Sequence, residues 1–136
     1  MKRRKRRRRG YITGIHISAK SVEPVSFRSG WEQKYCMHLD ADNSVSSYAY
    51  EPFAIPYLSN KKTGKIRRYY PDFLVSYIDG HDELVEIKPK KRLHQSRVHK
   101  KISAASDWAK ENKVLLKVLT EVELKALGVF EIFIEK

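Results

Sequence analysis

Two alternating apolar runs that face each other across Asp79-Gly80 constrain this 136-residue chain more than any other feature. In the first run Phe73, Val75 and Tyr77 fall on one face and Leu74, Ser76 and Ile78 on the other, the period of two that a strand requires. Asp-Gly supplies the positive φ of a tight hairpin turn. The second run, Leu84-Val85-Glu86-Ile87-Lys88-Pro89, then returns antiparallel to the first. Glu86 and Lys88 share one face of it, while Val85 and Ile87 turn to the other and into a core. Pro71-Asp72 opens the first run, so the hairpin carries Asp72 toward the end of the sheet that holds Glu86 and Lys88. The register stays open, with a bulge as one means of bringing the carboxylates together.

These residue types suit one chemistry. Mg²⁺ prefers hard oxygen ligands, takes one or two protein carboxylates, and fills its other positions with water and substrate phosphate. A lysine beside it can orient or deprotonate a water, or offset charge that builds on a phosphate. The plainer alternative is a solvated hairpin in which Glu86 and Lys88 are surface charges. An acid-x-Lys pair alone is a weak signal. A Pro-Asp opening an apolar strand just upstream of Glu-x-Lys is more specific.

A third acid lies upstream. Ser29-Gly30-Trp31-Glu32 has the capping-box pattern, with Ser29 as N-cap and Glu32 three residues on. The helix it starts, Trp31 to Leu39, places Glu32 on the stripe of Tyr35, Cys36 and Leu39 that should face the sheet. A carboxylate there needs a partner, because an unpaired buried charge is costly. Closing the capping box and serving an ion are competing uses of that one side chain.

Helix acid, Pro-Asp strand and Glu-x-Lys strand together resemble the PD-(D/E)xK nuclease superfamily. In the order of elements the chain resembles the catalytic domain of TnsA-like transposon-end endonucleases. The likeness runs from about Phe27 to Thr120, through Ser29-Gly30-Trp31-Glu32, Tyr50-Glu51-Pro52, Tyr57, Arg68-Tyr69-Tyr70-Pro71-Asp72-Phe73 and Leu84-Val85-Glu86-Ile87-Lys88-Pro89. It ends with a Val114-to-Leu119 strand closing on Thr120-Glu121. The resemblance implies an α/β, restriction-endonuclease-like fold, with a central mixed β-sheet flanked by helices. It also implies Mg²⁺-dependent DNA cleavage, with Mn²⁺ able to substitute. By the same resemblance the metal is held by Asp72, Glu86 and the backbone carbonyl of Ile87, with Lys88 as the catalytic lysine. Glu32 matches the helix acid that serves a second metal or its waters. TnsA-like transposition proteins carry a further C-terminal domain, for which a chain ending at Lys136 leaves no room. In size and general likeness the chain therefore resembles stand-alone phage nucleases of the head-completion or homing type.

Charge agrees with that expectation. The formal net charge is +12, and Lys2, Arg3, Arg4, Lys5, Arg6, Arg7, Arg8 and Arg9 form one cationic run. Residues 1–10 read as a disordered basic arm, and 11–136 as a single domain large enough to bury a core. Near a duplex the arm would release counterions and bind without regard to sequence; nuclear localisation and RNA binding are the other readings of such a run. A second basic stretch, Lys88 to His94 with Arg97, Lys100 and Lys101, leaves the catalytic strand and enters a helix. Within it Lys90, Lys91 and Arg92 would lie beside the scissile phosphate, and Arg67 and Arg68 would touch DNA at the rim. For each lysine a solvated surface charge is the ordinary alternative. Cys36 is the single cysteine, so neither an internal disulfide nor a CxxC metal site is available. No apolar run approaches a membrane span, and the basic start leads into polar residues rather than a signal peptide. The expectation is a soluble protein, in the host cytoplasm if phage-encoded, or associated with the virion.

The rest reads as scaffold. Val45 to Tyr50 is a strand, and Phe53 to Leu58 with Lys65 to Tyr70 form a hairpin around a polar loop ending at Gly64. Gln95 to Asn112 is a helix with Val98, Ile102, Ala105 and Ala109 as its apolar stripe. Val114 to Leu119 is a strand, and Thr120-Glu121-Val122-Glu123 caps a short helix that Gly128 ends. Val129 to Ile134 reads as a last strand, at an edge or in a subunit contact. His94 and His99 stand five apart, off one helical face, so a zinc site of HxxxH type is not indicated. His16, His38 and His81 have no obvious ligand companions in the sequence.

Two functions of different class follow. One is an Mg²⁺-dependent DNA endonuclease using Asp72, Glu86 and Lys88 aided by Glu32. The other is a basic DNA-binding or virion-assembly protein that keeps the fold without cleaving. Partners are DNA, with phage structural or recombination proteins if the chain is phage-encoded. One centre per chain means that double-strand cleavage needs a homodimer or two successive nicks.

Overall fold

Strand alternation and helix caps resolve, in the computed structural model, into eight short strands and three helices over the described residues 13–132. In chain order they are β1 (Gly14–His16), β2 (Val25–Phe27), α1 (Gly30–Ala41), β3 (Val45–Tyr50), β4 (Ile55–Asn60) and β5 (Lys65–Tyr69). There follow β6 (Phe73–Tyr77), β7 (Asp82–Ile87), α2 (Ser96–Glu111), β8 (Leu115–Leu119) and α3 (Glu121–Ala126). The arm from Lys2 to Arg9 lies outside the described residues. No described helix is long and apolar enough to cross a membrane.

The main sheet has the order β3-β6-β7-β8, with β7 and β8 parallel and the other neighbours antiparallel. It is mixed and covered on both faces, the arrangement that the family resemblance implies. β6 and β7 form the expected hairpin, and Gly80 at φ 95° makes the turn. Their register is regular from Ser76↔Asp82 to Phe73↔Val85. No bulge interrupts the paired residues, and Asp72 and Glu86 each adjoin the last pair, Phe73↔Val85.

The two faces carry separate cores. Phe73, Val75, Val85 and Ile87 pack against Tyr35, Cys36 and Leu39 of α1, with Leu124 of α3 and Val129. Leu84, on the opposite face, packs with Ile55, Tyr57, Tyr69 and Ala105, so α2 and the β4–β5 hairpin close that side. Phe73 is fully buried, and Tyr35, Tyr48 and Tyr50 meet its ring edge-on at centroid distances of 5.2, 6.1 and 5.3 Å. Each such pair adds about 0.5–1.5 kcal/mol beyond area burial. The backbone beside Asp72 is accordingly held rigid.

α1 is secured at both ends. Ser29 Oγ accepts the Glu32 N–H at 3.2 Å. At the other end the Lys20 ammonium donates to the carbonyls of Leu39 at 2.8 Å and Asp42 at 2.7 Å, a charged cap on the negative end of the helix dipole. α2 and α3 match their expected spans, and Thr120 Oγ1 caps α3 by accepting the Val122 N–H. The small antiparallel pair β1–β2 has no counterpart in the sequence pattern, since three-residue strands are too short to show periodicity.

One expectation is overturned. Val129 to Ile134 does not begin a strand: Gly128, at φ 75°, turns the chain, and Val129–Glu131 forms a single 3-10 turn. Val129 is fully buried against the α1 face, and the Phe130 ring lies 5.5 Å from that of Trp31. Packing onto α1 satisfies this apolar segment, so it has no need of a sheet edge. Residues 133–136 lie outside the described residues.

Candidate active site

The ends of β6 and β7 meet the N-terminus of α1 at a cleft of about 510 Å³, whose walls include Arg28, Glu32, Asp72, Ile87, Lys88 and Arg92. Pro71, fully buried, ends the β5 side of the chain and delivers Asp72 at the mouth of β6. Asp72 does not continue the backbone ladder. Its Oδ2 accepts the Ile87 N–H at 2.7 Å, so its carboxyl is pinned to the strand that carries Glu86. Its own carbonyl accepts the Glu51 N–H at 2.8 Å. Glu51 sits at φ 44°, in the left-handed region that a glutamate seldom adopts. Its carboxylate lies 3.1 Å from the Arg28 guanidinium across the cleft mouth.

Glu86 is the most constrained charge in the site. Its side chain is 5% exposed, Oε1 lies 3.9 Å from Lys88 Nζ, and Oε2 is buried without a hydrogen-bond partner among the described residues. Burial pushes its carboxyl up to about 7 against the pull of the Lys88 and Lys101 ammoniums, and Glu32 adds to the rise. Asp72 is likewise pushed up to about 7, first by burial of its carboxyl and then by the negative charge of Glu32; the Ile87 N–H and Lys88 oppose this. Asp72 lines the cleft, and Glu86 is buried one residue before Ile87, which also lines it. A buried carboxylate oxygen without a partner is costly, and a small divalent cation answers that cost. The residues present therefore fit such an ion, with Asp72, Glu86 and the Ile87 carbonyl as the oxygen set.

Glu32 lies at the α1 wall and carries a different load. Its Oε1 accepts both the Arg28 N–H and the Tyr50 hydroxyl, each at 2.8 Å. The capping box is thus closed one residue early, onto Arg28 rather than Ser29. The described residues hold no group of three or more His, Cys, Asp or Glu side chains placed to share one ion. The expected convergence of three acids on one ion is thus not found among the described residues, and Glu32 acts on Asp72 and Glu86 through its field.

Lys91 and Arg92, expected to contact DNA, line the same cleft, while Lys90 is exposed on the 3-10 turn Lys90–Arg92 that links β7 to α2. Arg67 and Arg68 are not at this cleft. They line a second cavity between β5 and α2. Tyr50 and Glu51 fall in the Tyr50-Glu51-Pro52 stretch of the family likeness, though with no role assigned there, and Arg28 joins the site without any sequence motif that marks it. Arg28 is only one residue before a cap, and a left-handed φ at Glu51 leaves no trace in residue type.

The sequence model of the family described as TnsA-like endonuclease N terminal matches residues 42–121. That span takes in Asp72, Glu86 and Lys88, and Glu32 falls outside it. The head completion nuclease of Enterobacteria phage T4 is 29% identical over 126 aligned residues, which cover 76% of this chain and 83% of that protein.

Proposed function

The chain belongs to the TnsA-like endonuclease N-terminal family, a nuclease family, and we propose that it hydrolyses internal phosphodiester bonds of DNA with Mg²⁺ at the Asp72–Glu86–Lys88 cleft. The observation that carries this reading is the buried Oε2 of Glu86, without a hydrogen-bond partner among the described residues, together with a second carboxylate of raised pKa, Asp72, held to the Ile87 N–H next along the strand. Asp72, Glu86 and the Ile87 carbonyl would hold the ion, which would supply Lewis acidity and a water of lowered pKa. The remaining work falls to side chains. Asp72 is oriented by the Ile87 N–H, which fixes one carboxyl oxygen and leaves the other toward the cleft. Lys88, 17% exposed, is near enough to Glu86 to orient the attacking water or to meet charge on the phosphate as it develops. Glu32, braced by Tyr50, raises the proton affinity of both carboxyls and can accept a hydrogen bond from water at the α1 wall. In the reaction a water oxygen bonds to phosphorus, one sugar oxygen departs with a proton, and the products are a phosphomonoester end and a hydroxyl end. Lys90, Lys91 and Arg92 hold phosphates next to the cut.

The likeness to the phage T4 protein supports placing this chain among phage nucleases of the head-completion kind. A plasmid-nicking assay with Mg²⁺ tests the assignment. Wild type nicks, while Asp72→Ala and Lys88→Ala retain DNA binding and lose nicking by a factor on the order of 10² or more. Equal nicking by all three would remove Asp72 and Lys88 from the chemistry.

A further inference from the structure

A second opening lies apart from the carboxylate cleft. It is a trough of about 790 Å³ between the β4–β5 hairpin and α2. Lys65, Arg67 and Arg68 form one wall and Arg97, Lys100 and Lys101 the other, and no acidic residue lines it.

Local geometry explains how two distant segments build one cationic surface. Lys65 and Arg67 share a strand face with Tyr69, which is buried toward α2, so both are delivered to the trough side. Arg97, Lys100 and Lys101 stand at i, i+3 and i+4 on α2, one helical face. The walls are tied together, because Lys100 Nζ donates to the Ser59 carbonyl at 2.8 Å. None of the six cations makes an ion pair within 4.0 Å among the described residues. Six like charges facing one another across a concave surface repel, and a cleft of one sign focuses field onto a ligand of the other.

One wall of the trough lies close to the residues of the carboxylate cleft. Lys101 lies over the Tyr69 ring at 5.9 Å from its centroid, and Glu86 and Lys88 both act on its charge. Burial and the neighbouring Lys88 and Arg97 hold its ammonium below the ordinary lysine value. Lys88 in turn lines the carboxylate cleft. Lys101 on the trough wall is therefore within electrostatic reach of Lys88 on the cleft wall and of the buried Glu86.

We infer that this trough carries the DNA phosphate backbone on the α2 side of the cut, so the substrate is a duplex that continues past the scissile bond on that side. The inference rests on the phosphodiesterase reading of the adjoining cleft. It gives Lys65, Arg97, Lys100 and Lys101 a shared task with Arg67 and Arg68, and it makes an internal bond the preferred target over a terminal one.

The test is binding of a fluorescent duplex of about 30 base pairs, roughly three helical turns, by anisotropy, in EDTA so that nothing is cut, across a range of salt. The trough variant Arg67→Glu/Arg97→Glu is compared with Lys110→Glu/Lys125→Glu, which changes net charge equally at exposed lysines that line neither opening. The trough variant should raise Kd on the order of tenfold or more and flatten the slope of log K against log salt by about 2, while the control stays near wild type. Arg67→Ala/Arg97→Ala, at exposed positions, gives the same direction if the charge reversal impairs folding. Unchanged Kd and slope, or equal weakening by the control pair, overturns the inference. Wild-type nicking with Mg²⁺ is scored alongside. Nicking with binding indifferent to the trough sinks the trough alone. Trough-dependent binding without nicking supports the trough and refutes the phosphodiesterase reading.

Discussion

Replacing Glu86 with Gln should stabilise the metal-free protein at alkaline pH while abolishing cleavage. Burial raises the Glu86 carboxyl from 4.5 to about 7. Between those values the folded state holds a proton that the unfolded chain releases. The sign follows from linkage: this group's stabilising effect is complete below about pH 4.5 and is lost as pH rises through about 7. At about 1.4 kcal/mol per pH unit, keeping Glu86 ionised at about pH 8.5 costs the fold about 3 kcal/mol. Asp72, raised from 3.8 to about 7, acts in the same direction. Glutamine keeps the shape and removes the charge, so wild type and variant should converge near about pH 4.5 and diverge toward about pH 8.5 by up to about 3 kcal/mol. Urea denaturation of both proteins in EDTA at several pH values reads this difference directly, and titrations common to both cancel. Adding Mg²⁺ at about pH 8.5 should stabilise wild type as mass action requires and leave Glu86→Gln unmoved. A variant equally destabilised at every pH, or one that Mg²⁺ stabilises as much as wild type, would refute the account of this carboxylate.

Two further outcomes follow from other side chains. Glu32→Gln removes a negative charge that raises the proton affinity of Asp72 and Glu86, so the acidic limb of the pH–rate profile for nicking should move to lower pH. An unmoved limb would show that Glu32 does not act through its field. At the opposite end of the sheet, burial pushes the Glu83 carboxyl up, but hydrogen bonds from Tyr77, Lys117 and His81 outweigh it and hold it below its ordinary value. Glu83→Ala leaves the Tyr77 hydroxyl, 2.7 Å from Glu83 Oε1, without its acceptor, and should cost about 1–3 kcal/mol in urea denaturation with nicking per folded molecule unchanged. The wild-type contribution is present above the ordinary glutamate pKa and fades as pH falls through the lowered value, so the deficit of the variant should shrink in acid.

What the chain determines by itself is local. The β6–β7 hairpin, the caps at Ser29 and Thr120, the Gly128 stop and the shared face of Glu86 and Lys88 all follow from intervals of two to four residues and from turn chemistry. Those intervals are set by strand and helix geometry, which neighbours along the chain enforce. The tertiary structure decided what depends on partners far apart in sequence. Tyr50 and Arg28 both hydrogen-bond to one oxygen of Glu32 and so set its place on the cleft wall. Trp31 and the α1 face draw Val129 and Phe130 out of a strand. Arg67 and Arg97 become neighbours across a trough only because Tyr69 and Ala105 share a core. Side-chain packing selects among such contacts by shape and by the cost of unmet charge, and neither is written in the spacing of residues along the chain.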